Sequence, residues 1–101
     1  DEEFDPPEHD LKTIETWGVT YKNGENIDWH SHGNATYSFA YYVNVPTGAS
    51  PILFRKPDEV IEARSGNVII FESSRQHMVP PNNCDGRCAI SGNIFLKTYR
   101  N

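Results

Sequence analysis

Apolar and polar positions alternate in short runs along this chain, and no stretch keeps a helical period of apolar residues for more than about two turns. The first run, Leu11 to Lys22, carries Ile14, Trp17, Val19 and Tyr21 and stops at Asn23-Gly24, the dipeptide that favours a tight hairpin. A second passes through Ile27 and Trp29 into His30 and His32. Tyr37 to Val45 is dense in aromatic and β-branched residues and ends at Pro46 and Gly48. Ile52 to Phe54 and Glu59 to Ala63 flank Pro57-Asp58, and Asn67 to Phe71, the most apolar run, is expected at the centre of a sheet. Cys88 to Tyr99 closes the pattern after the Pro80-Pro81-Asn82-Asn83 loop. Seven or eight strands about ten residues apart, with little helix, predict an all-β antiparallel sandwich or jelly-roll barrel.

Composition narrows this picture. The chain has 101 residues, enough for one core and no second domain, so any site lies within that core. Residues 1–10 hold six acidic side chains and two prolines and read as a flexible arm, leaving 11–101 as the folded domain. Fourteen acidic against nine basic residues, with no basic cluster, exclude a nucleic-acid surface. No apolar stretch reaches the roughly 20 residues of a membrane span, so the expected setting is cytoplasmic. The chain opens on Asp1, which leaves an upstream segment open. Cys84 and Cys88 make no disulfide framework and only half of a tetrahedral zinc site.

Histidine placement carries the chemistry. His9 lies in the acidic arm and reads as solvated. His30 and His32, two apart on an extended segment, project to one side and can share an ion. His77 follows the apolar run after a polar stretch, and a jelly roll can bring such a position to the same barrel mouth. Taken singly, each histidine is more often a hydrogen-bonded surface residue than a ligand; the pairing and the third member change the balance. Neutral imidazoles suit Fe, Zn, Cu, Ni or Mn, so spacing alone does not choose the metal.

Gly24 to His32, Ser38 to Pro46, Gly66 to His77, and then Arg87 and Asn93 together resemble the core of the 2-oxoglutarate and Fe(II)-dependent oxygenases. The nearest likeness is to the small oxygenases of marine bacteria and their phages, related to prolyl hydroxylases, over residues 13–97. The resemblance implies a double-stranded β-helix, the cupin-like barrel, with Fe(II) on His30, His32 and His77. It implies that Arg87, a planar fork suited to a carboxylate, pairs with the far end of 2-oxoglutarate. Tyr42, in Tyr41-Tyr42-Val43-Asn44, stands where the hydroxylases place a tyrosine on the same carboxylate. With O2 as co-reactant, the expected activity is hydroxylation of a C–H bond in a peptide, protein or small molecule, without a catalytic nucleophile. Trp29, Asn34, Tyr37 and Asn93 are expected around the pocket, joined by Tyr41 and Phe54. Further copies of the chain are left open as partners.

Two positions depart from the family pattern. His32 stands where the usual triad has Asp, and Ala89 where a hydroxyl helps hold the cosubstrate. Gly24-(x)5-His30-x-His32 and Gly66-(x)10-His77 also match the two cupin metal motifs, without the Glu that should follow the first. A cupin-type metal protein and a non-catalytic, phage or virion-associated binding module on the same barrel are therefore the alternatives.

Overall fold

The computed structural model describes residues 9–98, with side chains for 13–96. Of the acidic arm, residues 1–8 lie outside the described residues, while His9 and Asp10 open the first strand. Eight strands follow: β1 (His9–Tyr21), β2 (Ile27–His30), β3 (Tyr37–Asn44), β4 (Ile52–Phe54), β5 (Glu59–Ile61), β6 (Val68–Glu72), β7 (His77–Val79) and β8 (Arg87–Thr98). They form two four-stranded sheets, a long one in the order β1-β8-β3-β6 and a short one in the order β2-β7-β4-β5, paired antiparallel throughout. This is the all-β, jelly-roll architecture the turn spacing predicts. Among the described residues there is no helix, and so none long and apolar enough to cross a membrane.

Asn23-Gly24 does not make a hairpin. The strands it joins belong to different sheets. Glu25 donates its N–H to Lys22 O at 3.0 Å, and Gly24 alone of the two central residues has positive φ, at 89°. That is the type II pattern, whose twist splays the flanking strands, whereas a two-residue hairpin needs the mirror-image turn. The turn is then fixed from outside: Gly24 N–H donates to Asn82 O at 2.7 Å, and Asn82 Nδ2 donates to Glu25 O at 2.9 Å. Asn82 Oδ1 also accepts from Ser50 N–H at 2.8 Å, so one buried amide ties three loops together at the end of the sandwich.

The apolar run at Asn67–Phe71 is likewise misread as central. Its strand β6 is the edge of the long sheet; β8 and β3 are the inner strands. Alternation explains the error. Ile69 and Phe71 turn inward, while Val68 and Ile70 turn outward and are exposed, so the run is apolar on both faces without being buried on both. The apolar core proper is small: Tyr21, Tyr42, Ile52, Phe54, Val79 and Ala89 between the sheets.

Candidate metal centre

The two sheets meet at a cluster of three imidazoles. His30 and His77 face each other as register partners of β2 and β7, in the short sheet. His32 lies just past the end of β2, and its backbone N–H donates to Ser73 O at 2.8 Å, beyond the end of β6 in the long sheet. The cluster thus spans the seam. One ring nitrogen from each histidine lies within 4.8 Å of the others, and His32 Nε2 and His77 Nε2 approach to 3.3 Å.

Backbone carbonyls select the tautomers. His30 Nδ1–H donates to Asp28 O at 2.8 Å and His77 Nδ1–H to Arg75 O at 3.0 Å, because a carbonyl can only accept. The Nε2 atoms of both rings are left as lone pairs, the arrangement seen in metal-bound histidines. Phe71 and Phe54 pack against the His77 ring, with centroids at 4.7 and 5.8 Å. Burial is the main reason His77 titrates low, at about 4; the Arg75 carbonyl opposes this, and the charges of His30 and His32 add to it. Burial, then the neighbouring His30, also lowers His32. Three converging imidazole nitrogens fit a divalent transition ion.

The expected cosubstrate residues lie further along the inner face of the long sheet. Arg87 is 2% exposed, its guanidinium 4.8 Å from the Tyr21 ring centre and 5.3 Å from that of Tyr42. Its Nε–H donates to Ser50 O at 3.3 Å, on the loop that Asn82 secures. Burial raises both tyrosines, and the arginine charge opposes the shift. Among the described residues no carboxylate pairs with Arg87; the one ion pair there is Arg75 with Glu59 at 3.0 Å. A buried cation lacking its anion is costly unless a ligand supplies one.

Between Arg87 and the histidines the inward positions of the two inner strands are small, Ala40 on β3 and Ala89 and Ser91 on β8, flanked by Val19 and Trp17 of β1 and Ile69 of β6. Ala40 stands opposite Ser91, and Ala89 opposite Tyr42. Beyond them Ser38 Oγ donates to Asn93 Oδ1 at 2.8 Å and meets Ser73 Oγ at 2.8 Å, all three buried. Sequence reasoning named Asn93 but missed Ser38, Ser73 and Tyr21. The available signal was the inward phase Ser38, Ala40, Tyr42, opposite in character to Tyr37, Phe39, Tyr41.

Other expected pocket residues divide. Asn34 shares a cavity of about 440 Å³ with His32, Glu15 and Asn93. Trp29 is stacked by Arg55, 3.7 Å from the ring centre, and lines a separate apolar cavity with Leu53 and Val60. Tyr37 and Tyr41 do not line the site, since strand alternation sends both to the outward face. Trp17, which turns inward 6.3 Å from the His32 ring, stands nearer than either.

No family model and no curated protein matches the sequence. Solved structures do match the fold. A Pseudomonas putida prolyl-4-hydroxylase aligns with a TM-score of 0.71 at 19% identity, covering 90% of this chain and 54% of its own. A 2OG-Fe(II) oxygenase family protein from Burkholderia pseudomallei gives 0.70 at 12%, covering 88% and 46%. An RmlC-like cupin from Desulfovibrio desulfuricans gives 0.59 at 20%, covering 84% and 79%. The chain spans about half the length of the two oxygenases. At these identities the likeness concerns architecture: the chain has the double-stranded β-helix fold that 2-oxoglutarate oxygenases and cupins share.

Proposed function

We propose that this barrel is a non-haem Fe(II) and 2-oxoglutarate-dependent dioxygenase that hydroxylates a C–H bond of a peptide, protein or small molecule. One observation carries the reading: a three-imidazole cluster and a buried arginine that, among the described residues, no carboxylate pairs both lie between the two sheets, with the small side chains of Ala40, Ala89 and Ser91 on the inner strands between them. His30, His32 and His77 hold the ion. Arg87 pairs with the far carboxylate of 2-oxoglutarate and the Tyr42 hydroxyl shares it, while Ala40, Ala89 and Ser91 leave room for the carbon chain. When bound, Fe(II) with 2-oxoglutarate and O2 supplies oxidative decarboxylation to succinate coupled to C–H hydroxylation. The protein lowers the titration of His32 and His77 by burial, fixes the rings of His30 and His77 through the carbonyls of Asp28 and Arg75, and packs Phe54 and Phe71 against His77. Free Cys84 and Cys88 suit a reducing cytoplasm.

The test is anaerobic addition of Fe(II) and 2-oxoglutarate, followed by O2. A weak visible charge-transfer band and stoichiometric succinate are expected, and Arg87→Gln should lose both while keeping the metal. The second reading, a cupin-type metal protein, is favoured by the imidazole of His32 where the oxygenase triad has a carboxylate. Metal retention with neither band nor succinate would select it.

A further inference from the structure

The outward face of the long sheet has no part in the chemistry above, yet it is the most apolar surface among the described residues. Register puts Ile14 of β1, Ile90 of β8, Tyr41 of β3, and Val68 and Ile70 of β6 on this one side, and Val43 follows at the irregularity of β3 beside them. They are exposed by 41% to 62%. With Tyr37, Phe39 and Ile94 between and beside them, they offer roughly 700 Å² by the size of such side chains. A monomer's largest apolar patch is about 300–600 Å², and a standard interface takes about 800 Å² from each partner. The patch is of interface size.

Its chemistry limits the occupant. Across the outward positions from Ile14 to Thr20, Cys88 to Ile94, Tyr37 to Val43 and Val68 to Glu72, the single charge is Glu72, at a corner. No anion, cation or nucleic acid is served by such a surface. Gly18 and Gly92 carry no side chain there, and a Cβ on Gly92 would strike the Phe39 ring lying over it. An apolar sheet face packs well on another apolar sheet face, and a second copy of this chain brings one of matching size without any charge to complement. The histidines lie on the opposite side of the sheet, so the pairing leaves the site open.

We propose that two copies of this chain pack face to face through the outward surface of the β1-β8-β3-β6 sheet, about a twofold axis. This stands apart from the oxygenase reading, and its test does not use activity. Sedimentation equilibrium of the wild-type chain at micromolar concentration should give twice the 11.5 kDa chain mass. Ile70→Glu, which buries an unpaired carboxylate in the pair, should weaken association about 100-fold or more with an unchanged far-ultraviolet circular dichroism spectrum. Val68→Lys serves the same purpose should that variant fold poorly. Val60→Glu, at an equally exposed valine on the short sheet, should leave the dimer intact. A wild-type chain that stays monomeric across the concentration range, or an assembly indifferent to both long-sheet substitutions, overturns the proposal.

Discussion

On β3 and β8 the inward side chains are Ser38, Ala40, Tyr42, Arg87, Ala89, Ser91 and Asn93; the outward ones on the same strands include Tyr37, Phe39, Tyr41, Val43, Ile90 and Ile94. An antiparallel sheet with one solvated face ordinarily keeps its apolar residues inside and its polar ones out. Here the inside of these two strands is mostly polar or small, with Tyr42 and Arg87 its large members, and the outside is large and apolar. The inward face derives cohesion from specific pairs, such as Ser38 with Asn93 and Arg87 with the ring faces of Tyr21 and Tyr42. The outward face has only area to offer. Substitutions should therefore act differently on the two: through unpaired groups and titration inside, and through association outside.

The largest effect expected is one of pH, and it belongs to the inward side alone. Burial holds folded His77 at about 4, whereas an unfolded imidazole titrates near 6.5. Between those values the unfolded chain takes a proton that the folded chain refuses. Stability is thus complete above about pH 6.5 and falls as pH drops to about 4, by roughly 3 kcal/mol for this one group. Urea titrations of metal-free protein at pH 7 and 4.5 measure the loss, and His77→Gln should remove most of it. An unchanged pH slope in that variant would refute the burial argument. Outward substitutions such as Val43→Thr should leave the slope as it is.

How much of this was legible in the sequence depends on which property is asked for. Strand runs and turn residues located the strands, except β7, whose three residues His77, Met78 and Val79 are too few to display alternation. The sheet order was not legible. Asn23-Gly24 signals a tight turn, but which sheet the next strand joins is decided by Asn82, nearly sixty residues away. The histidine cluster was legible because two of its members, His30 and His32, share a short extended segment and a jelly roll can bring the position of His77 to the same end. The polar trio of Ser38, Ser73 and Asn93 was not, because alternation gives two faces without saying which one is inside. The usual assumption, that the greasier face is buried, gives the wrong answer for β3.

Arg87 offers a sharper contrast with that outer surface. Arg87→Gln keeps a polar side chain yet loses the fork that meets a carboxylate, so 2-oxoglutarate binding should weaken about 100-fold while Ni(II) binding changes little. Calorimetry with each ligand separately measures this. Equal losses for metal and 2-oxoglutarate would mean that Arg87 supports the barrel and not the cosubstrate. Thermal shift adds a second reading: 2-oxoglutarate should raise the melting temperature of the metal-loaded wild type and not of the variant, because only the wild-type arginine gains its missing anion.

The smallest expected difference bears most directly on the two faces, since it compares substitutions of one or two atoms. Ser38→Ala removes one oxygen and leaves Asn93 Oδ1 and Ser73 Oγ without that partner in a buried place. The expected cost is about 1–3 kcal/mol, read from urea midpoints at pH 7. Val43→Thr exchanges a methyl for a hydroxyl at an exposed outward position of the same strand, where water can satisfy it. Its expected effect on the isolated fold is within about 0.5 kcal/mol. To separate folding from association, both are best measured in the Ile70→Glu background. If Val43→Thr costs as much there as Ser38→Ala, the outward face is packed within the single chain. If Ser38→Ala costs nothing, the inward hydroxyls are not a closed network and have water or room to replace them, which would make that end of the cavity larger than the side chains alone define.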